Sequence, residues 1–517
     1  MDTSFNELMD SKFQHLYDDE IQKNFNQNPY LEDFVHAMVN IIIKYMKNCH
    51  DRSQKVIEFK EPHELNELIN FDLEEKPENL AALMGYCRQT LQYCAKTGHS
   101  RFYNQLYSGM DVVSICGEWL ATATSTNMAT YEIAPVFLLM EDAVLKRMRK
   151  LIGFHDGDGV FAPGGSLSNM FAISLARYRK FPESKSKGLY SLPRMAVLTS
   201  NHSHYSFRKG VNFMGLGQDN VFQVNCDSEG RMSISDLENK IKGLLSQDII
   251  PIMVNATCGT TVYGAFDSLE EIADLCQKYD IWFHIDASWG GVVLFSDRKR
   301  YLMKGVHQAD SITWNAHKFM GCPFQCSAFL TREKGKLQEC NGDPVSYLFQ
   351  QDKLTYDVSY DTGNKTIQCG RRIDAMKIWL MWKGKGDEGF AKKLHHAYEL
   401  ANYLIEKIQN REGFELVHQP TYVNVCFWYI PKAIRNLPDN EIKKTKLSKL
   451  APQIKAGMTK KGSMMVNYQP VDDKVNFFRM ILINYDTTFE DMDFTLDEIE
   501  MLGEGAMTAV HENENIS

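Results

Sequence analysis

The sequence lacks the segments that would place it in a membrane or in a secretory pathway. The longest apolar stretch near the N-terminus, residues 34–46, is broken by His36, Asn40 and Lys44, and no run reaches the ~20 apolar residues that span a bilayer. The first residues, MDTSFNELMDSKFQ, are polar and acidic, unlike a secretory signal or an Arg-rich transit peptide. We therefore expect a cytoplasmic protein with no membrane span.

Paired cysteine motifs are also missing. The chain has 12 cysteines, but they are scattered, and no CxxC pair occurs. Cys322 and Cys326 have no matching second pair, which argues against a zinc site. The pattern predicts reduced thiols rather than a disulfide framework, and no metal site.

An excess of positive charge is absent as well. The chain carries 57 basic and 66 acidic residues, a net charge of −9. This balance opposes non-specific binding to nucleic acid or to an anionic membrane surface. It also disfavours acidic substrates at long range, so an acidic substrate would need a locally basic pocket.

Internal repeats, low-complexity tracts and Pro/Gly/Ser-rich linkers are not found either. The 517 residues nevertheless exceed what one hydrophobic core fills. Changes in residue pattern predict three tightly joined parts: a helical N-terminal segment (1–95), a large domain (96–375) and a smaller C-terminal α+β domain (376–517).

Short β-rich runs alternate with helical patterns in the large domain. Apolar runs predict strands at 195–199, 250–255, 281–285, 311–314 and 327–330, and helical spacing predicts helices at 133–152 and 269–279. This alternation indicates an α/β domain with a mostly parallel sheet covered on both faces. Beyond residue 375 the pattern predicts a long helix in two pieces, 378–383 and 388–411, and β-structure at 424–429 and 475–484.

Asp286 and Lys318 form the first chemical constellation. Asp286 ends an apolar strand in HIDASWGG, and Lys318 follows in WNAHKF. Open α/β sheets bind ligands at the carboxyl ends of their strands. An enzyme that uses pyridoxal 5′-phosphate (PLP) needs a lysine for an imine with the cofactor aldehyde and a carboxylate for the pyridine nitrogen. By themselves, however, the two residues fit a surface lysine and a turn-capping aspartate better.

Two further segments are ambiguous when taken singly. The turn at 164–169, GGSLSN, runs into a helical pattern. Free N–H groups at such a helix start bind phosphate, and Ser166 adds a hydroxyl, but an ordinary capped helix fits too. The NHSHYS stretch contains His202 and His204. A histidine here could lie flat on an aromatic cofactor, bind a metal, or be an ordinary polar loop residue.

The order of these elements is more specific than any one of them, because it is the layout of PLP enzymes of the aspartate-aminotransferase type. The chain resembles the animal glutamate decarboxylases and their relatives, the cysteine sulfinate and aspartate decarboxylases, over roughly residues 30–505. The matching stretches include GHSRFYNQL (98–106), TYEIAPVF (130–137), FAPGGSLSNM (161–170), NHSHYS (201–206), ATCGTTVYGAFD (256–267), WFHIDASWGG (282–291), SITWNAHK (311–318), YDVSYDTGNKTIQCGRR (356–372) and KVNFFRM (474–480). The resemblance implies a PLP-dependent transferase fold and decarboxylation of an acidic amino acid.

The resemblance also implies roles for individual residues. Lys318 is expected to carry PLP, Asp286 to pair with the pyridine nitrogen, and His204 to stack on the ring and take part in catalysis. The remaining cofactor contacts are expected from Gly165, Ser166, Thr257, Asn315 and His317, with Cys369 and Gly370 contributed by a partner subunit.

On the substrate side, Arg479 and Gln105 are expected to grip the distal acid group, with Leu106, Tyr107 and Asn127 completing the pocket. A guanidinium suits this task because it binds a carboxylate through two donors. Tyr356, in the mobile loop at 340–360, is expected to return a proton to the α-carbon. The family relationship further implies a homodimer with active sites at the subunit interface.

Several positions depart from the family pattern. Ala316 replaces a proline before His-Lys, Ser288 replaces an alanine at the ring, and Thr355 is an extra residue just before the loop tyrosine. In the pocket, a bulky Tyr107 favours a shorter acid, whereas Ala129 returns space.

The overall background, together with Asn127, favours glutamate decarboxylation to GABA as the main hypothesis. Decarboxylation of aspartate to β-alanine or of cysteine sulfinate to hypotaurine is the alternative. A PLP aminotransferase and a non-catalytic interaction protein are the competing classes.

Overall fold

The computed structural model describes residues 2–343, 345–350 and 352–514. The N-terminal segment is helical, as predicted. Its helices are α1 (Asp2–Phe13), α2 (Asp18–Gln22), α3 (Leu31–Cys49), α4 (Pro62–Leu68) and α5 (Leu80–Tyr93). Apolar residues of α1, α3 and α5 form a small core of their own, including Phe13, Ile41 and Met84.

The central part of the chain alternates helices and strands. Its helices are α6 (Val112–Thr124), α7 (Pro135–Ile152), α8 (Gly165–Lys180), α9 (Ser184–Lys187), α10 (Ser206–Phe213), α11 (Ile234–Leu245), α12 (Leu269–Lys278) and α13 (Lys336–Asn341). Its strands are β1 (Asp158–Ala162), β2 (Met195–Ser200), β3 (Val221–Val224), β4 (Ile250–Thr257), β5 (Trp282–Asp286), β6 (Ser311–Asn315) and β7 (Ser327–Thr331).

These seven strands form one sheet in the order β1-β7-β6-β5-β4-β2-β3. Strands β3, β2, β4, β5 and β6 pair in parallel, whereas β7 runs antiparallel to both of its neighbours. The prediction of a mostly parallel sheet is confirmed, as is the α/β PLP-transferase fold class.

Both faces of the sheet are covered. Strand β2 shows how: Ala196 and Leu198 lie in the large core shared with α7, α11, α12 and the long helix that follows residue 373. Met195 and Val197 point the other way, into a second core with α8 and α10. A strand buried on both faces favours apolar residues on both sides, which explains the continuous run MAVL in β2.

The C-terminal part begins with the long helix α14 (Asp374–Asn410), which is kinked at Gly386, where φ is 60° and ψ is −176°. A residue in this conformation cannot continue a helix, so the two predicted pieces are the two arms of one kinked helix. The other helices are α15 (Lys432–Arg435), α16 (Glu441–Lys461) and α17 (Phe489–Glu514), and the strands are β8 (Phe414–Leu416), β9 (Asn424–Tyr429), β10 (Asn467–Val471) and β11 (Lys474–Ile481). These four strands form an antiparallel sheet in the order β10-β11-β9-β8.

The predicted domain boundaries at residues 95 and 375 stay a prediction. Among the residues that the structure describes, no helix has the length and apolar character needed to cross a bilayer. All 12 cysteines are free thiols.

Candidate active site

The carboxyl ends of three neighbouring strands bring the predicted site residues together. Thr257, the last residue of β4, lies opposite Asp286, the last residue of β5, and Asp286 lies opposite Thr313 of β6. Strand β6 then leads directly through Asn315 to Lys318. The site therefore lies at the sheet edge where parallel α/β proteins bind ligands.

Asp286 is buried and held by two hydrogen bonds. Asn169 Nδ2 donates to its Oδ2 over 2.9 Å, and the backbone N–H of Ser288 donates to its Oδ1 over 3.0 Å. Burial alone would raise the pKa of Asp286, but the positive charge of Lys318 and these hydrogen bonds outweigh it and lower the pKa. Asp286 is thus held as a carboxylate.

A hydrogen-bond chain supports Asp286 from behind. Asn169 Oδ1 lies 3.1 Å from His284 Nε2, His284 Nδ1 lies 2.8 Å from Ser311 Oγ, and Trp282 Nε1 donates to that hydroxyl over 2.8 Å. Because the N–H₂ group of Asn169 donates to Asp286 and to Ser206 Oγ, the amide oxygen must accept a hydrogen bond from His284. Burial lowers the pKa of His284 to about 4, so the imidazole in this chain is neutral.

Lys318 and His204 are both shifted toward their neutral forms. Burial lowers the pKa of Lys318, and the charge of Arg479 adds to this effect, while Asp286 opposes it. Burial also lowers the pKa of His204. His204 Nδ1 accepts a 3.2 Å hydrogen bond from the backbone N–H of Ser206, so a neutral imidazole carries its proton on Nε2.

The glycine turn lies against β6. Gly164 has φ 96°, a left-handed value that favours glycine. A Cβ on Gly165 would lie 2.8 Å from Asn315 Nδ2 and 3.0 Å from Ser288 Oγ. Asn315 is held by a 2.6 Å hydrogen bond that Ser327 Oγ donates to its Oδ1. The turn, the start of α8 and the Asn315 amide thus form a cradle lined with donors, and Ser166 is exposed at its edge.

An aromatic contact joins the predicted substrate pocket to His317. The His317 ring lies 4.4 Å from the Phe324 ring, and Phe324 meets the Tyr107 ring edge-on at 4.7 Å. Burial lowers the pKa of His317 to about 4, and its Nδ1 lies 2.8 Å from the Cys326 carbonyl oxygen. A cavity of about 220 Å³ is lined by Tyr107, His317 and Phe324 among others.

Arg479 is buried beside the site, with only 4% of its surface exposed. Its Nη1 donates to the Thr261 carbonyl over 3.0 Å and its Nη2 to the Asn104 carbonyl over 3.1 Å. Within the described ranges, its Nε has no hydrogen-bond partner and no carboxylate forms an ion pair with it. A buried guanidinium that meets only neutral oxygens is suited to an anionic ligand.

In the part of the chain that the structure describes, the other predicted substrate residues form no hydrogen bond with the Arg479 guanidinium. Gln105 is half-buried and Leu106 is buried. Asn127 Nδ2 donates to the Cys369 carbonyl over 3.2 Å, and its Oδ1 accepts from the backbone N–H of Arg371 over 2.8 Å. Asn127 therefore holds the 369–371 segment, which includes Gly370, and its side chain is already engaged within the protomer.

Tyr356 is anchored at the base of its loop. Its hydroxyl lies 2.7 Å from Lys353 Nζ and 3.0 Å from Asp361 Oδ1, and its ring lies 5.1 Å from that of Tyr131. Tyr347, a loop residue that the sequence reasoning did not select, is 85% exposed. Tyr356 is thus a tethered phenol of this loop, and Tyr347 is a well-exposed one.

Comparison with known proteins decides the family. Residues 62–430 match the pyridoxal-dependent decarboxylase conserved domain. The crystal structure of mouse CSAD is 45% identical in sequence with a TM-score of 0.89, over 92% of this chain and 99% of that chain. The chain is a pyridoxal-dependent decarboxylase.

More distant decarboxylases share the fold. The glutamate decarboxylase domain of a Vibrio parahaemolyticus protein is 21% identical with a TM-score of 0.78, over 96% of this chain and 99% of that one. The Oryza sativa TDC structure with PLP and tryptamine is 19% identical with a TM-score of 0.83, over 92% of this chain and 98% of that one.

The residues of this decarboxylase fit PLP. Gly165 and Asn315 form a cradle that a single Cβ would obstruct, as a phosphate site requires. Asp286 presents a stabilised carboxylate, and Lys318 is an amine with a lowered pKa in electrostatic contact with it.

Sequence reasoning missed Asn169, His284 and Phe324 as contributors to the decarboxylase site. His284 gave one signal, since a histidine inside the apolar strand WFHID must find buried partners. Nothing in the sequence pairs it with Ser311, because that contact depends on the register between β5 and β6.

Proposed function

We propose that the decarboxylase acts on a short acidic amino acid, cysteine sulfinate, and releases hypotaurine and CO₂. The observation that carries this proposal is the edge-on contact of Tyr107 with Phe324, 4.7 Å between ring centroids. The Phe324 ring also lies against His317, and together the two aromatic rings would fill the space that the additional methylene of glutamate needs. One methylene in a fitted pocket changes selectivity by about 10–200-fold.

The relationship to mouse CSAD, a cysteine sulfinic acid decarboxylase, supports the shorter substrate. The comparison favours the alternative hypothesis over glutamate. Asn127 had favoured glutamate, but its amide is bonded to the 369–371 backbone. Aspartate has the same chain length as cysteine sulfinate and is the natural competitor.

Arg479 binds the distal sulfinate or carboxylate in this proposal. Its buried charge supplies the locally basic pocket that an overall charge of −9 does not. The cradle at Gly165 and Asn315 holds the cofactor phosphate, and Asp286 holds the proton on the pyridine nitrogen. When bound, PLP accepts the electron pair that the departing CO₂ leaves behind.

Proton return to the α-carbon falls to a loop tyrosine. Tyr356 is the predicted donor, and its hydroxyl is already shared between Lys353 and Asp361. Tyr347 has the exposed side chain in the same loop. A phenol, with a pKa near 10, suits transfer to a strongly basic carbon.

A homodimer completes the proposal. Helices α6 and α7 both pack on α14, and each exposes an apolar stripe: Val112, Trp119 and Leu120 on α6, Val136 and Leu139 on α7. Such stripes on neighbouring helices mark interaction surfaces. The paired variant Leu120→Glu/Val136→Glu should elute as a monomer in size-exclusion chromatography. An unchanged dimer would place the interface elsewhere.

The free thiols are consistent with a reducing, cytoplasmic setting.

A competition assay tests the substrate. Equal cysteine sulfinate, aspartate and glutamate are given to the PLP-loaded enzyme, and hypotaurine, β-alanine, GABA and CO₂ are quantified. Mostly hypotaurine supports the proposal; a GABA majority rejects it, and a β-alanine majority moves the assignment to aspartate. Tyr107→Ser should shift product toward GABA, whereas Tyr107→Phe, which keeps the ring, should not.

A further inference from the structure

A second cavity adjoins the one beside Tyr107 and shares Asp111 and Gly321 with its wall. It has a volume of about 370 Å³, and its acidic and basic lining residues are His50, Asp111, Lys385, Lys392, Lys393 and Asp486. Met320 and Gly321, which closely follow Lys318 in the chain, form part of its wall. We call it the lysine cavity.

The two carboxylates of the lysine cavity are already paired. Lys385 Nζ lies 2.8 Å from Asp111 Oδ2, and His50 Nδ1 lies 2.5 Å from Asp486 Oδ2. Neither Lys392 nor Lys393 forms an ion pair with any carboxylate in the described part of the chain. The cavity therefore holds more positive charge than its own acidic groups balance, in a protein whose net charge is −9.

Lys393 is the less solvated of the two. Its Nζ approaches the Met320 carbonyl oxygen at 3.5 Å, which is the long limit of a hydrogen bond. Burial, together with the charge of Lys385, lowers its pKa to about 8 against the opposing effects of Asp111 and Asp486. Its ammonium thus lacks the close anionic partner that would offset desolvation.

We propose that the lysine cavity is a binding site for a small dianionic oxyanion, such as sulfate or a phosphate group, held by Lys392 and Lys393. The ligand would supply the negative charge that the cavity lacks. It would also act on the catalytic segment, because a Cβ on Gly321 would lie only 2.9 Å from Lys393 Nζ, and the Gly321 N–H donates to the Lys318 carbonyl over 3.0 Å.

Sulfate is the best probe because it does not titrate near neutral pH. Sulfate is titrated calorimetrically into the PLP-loaded enzyme at pH 8, so that the cofactor cradle is filled. Two charge-assisted contacts are removed in Lys392→Gln/Lys393→Gln, and we expect sulfate to bind about tenfold or more weakly. Lys449→Gln/Lys460→Gln removes the same two charges from exposed positions on α16 and should leave binding unchanged.

Proton uptake gives a second readout. With a pKa of about 8, Lys393 is partly neutral at pH 8, and a bound anion raises its pKa, so sulfate binding should take up a proton. The uptake appears as a dependence of the binding heat on buffer ionisation enthalpy. Lys393→Arg, which stays charged, should keep sulfate binding and lose the uptake. The proposal is overturned if sulfate does not bind, or if it binds the double-glutamine variant as tightly as the unmodified enzyme.

Discussion

Asn169 donates a 2.9 Å hydrogen bond to Asp286 from 117 residues earlier in the chain. Its amide oxygen accepts a hydrogen bond from His284. Asn169 therefore connects Asp286, the carboxylate expected to contact the cofactor, to a buried network of polar side chains. The charge state of Asp286 therefore depends on a residue that need not touch the substrate.

Replacing that amide should weaken cofactor binding. Asn169→Asp places a second carboxylate beside Asp286, which raises the pKa of Asp286 and removes its donor. We expect PLP affinity to fall about tenfold or more, measured by fluorescence titration of the apoenzyme. Asn169→Leu should be less harmful because it adds no charge. Equal losses in the two variants would show that the repulsion is not decisive.

Gly165→Ala should release PLP. The new Cβ would lie 2.8 Å from the Asn315 amide nitrogen, so the cradle must open to accept it. The fraction of enzyme that keeps its visible cofactor absorbance after dialysis reports the effect. Gly243→Ala in α11, where nothing lies within 4 Å, is the matched control and should retain PLP fully. Full retention in Gly165→Ala would refute the cradle.

Phe324 should restrict substrate length together with Tyr107. Phe324→Leu removes the edge-on ring contact while keeping an apolar side chain, and we expect kcat/KM for glutamate relative to cysteine sulfinate to rise by about tenfold. Cofactor absorbance is monitored in parallel, because His317 also contacts this ring. An unchanged substrate ratio with intact PLP would remove Phe324 from the pocket wall.

The two loop tyrosines should differ in their effects. Tyr347→Phe should lower kcat by about 100-fold or more if the exposed phenol is the proton donor. Tyr356→Phe, at the predicted donor, also removes the hydrogen bonds of that hydroxyl to Lys353 and Asp361 and should loosen the loop, which limited proteolysis would detect. A larger kcat loss in Tyr356→Phe than in Tyr347→Phe, with the loop still protected, would confirm Tyr356 as the proton donor.

Acid should destabilise the protein through its buried histidines. His284 has a pKa of about 4 in the folded state because it is buried, against 6.5 as its ordinary value. Between these pH values the unfolded chain binds more protons than the folded chain. The contribution of His284 to the free energy of unfolding is therefore fully present above pH 6.5 and is lost as the pH falls toward 4. The loss is up to ~3 kcal/mol for this residue. Urea midpoints at pH 7 and 5 measure it.

Two variants isolate that contribution. His284→Gln keeps a donor for Asn169 but does not titrate, so its urea midpoint should change less between pH 7 and 5. His155 is exposed, and His155→Gln should behave like the unmodified protein. An unchanged pH dependence in His284→Gln would assign the acid sensitivity to other groups, such as His317.

The sequence predicted those parts of the fold that local pattern determines. Strands β2, β4, β5, β6 and β7 were anticipated because continuous apolar runs reveal strands that are buried on both faces. Strand β1, DGVFA, was missed because five residues beginning Asp-Gly give too short a signal. Strand β3, VFQV, was missed because four residues interrupted by a glutamine give an equally short signal.

The site was predictable to a different extent. Family motifs pointed to Asp286 and Lys318, and the fold places both at one sheet edge. The engagement of Asn127 with the 369–371 backbone and of Tyr356 with Asp361 could not be predicted, because such contacts depend on how distant segments pack. The individual roles assigned to these residues remain predictions until the variants are measured.

The antiparallel strand β7 also determines when β1 can join the sheet during synthesis of the chain. Among the described strands, β1 pairs with β7 alone, residue 158 opposite residue 331. The ribosome must therefore add more than a third of the chain before β1 can join the sheet. The glycine turn that follows β1 cannot meet Asn315 until then. Cofactor capture is therefore a late event in the life of the nascent polypeptide, and shortened chains that end before β7 should be unable to hold PLP.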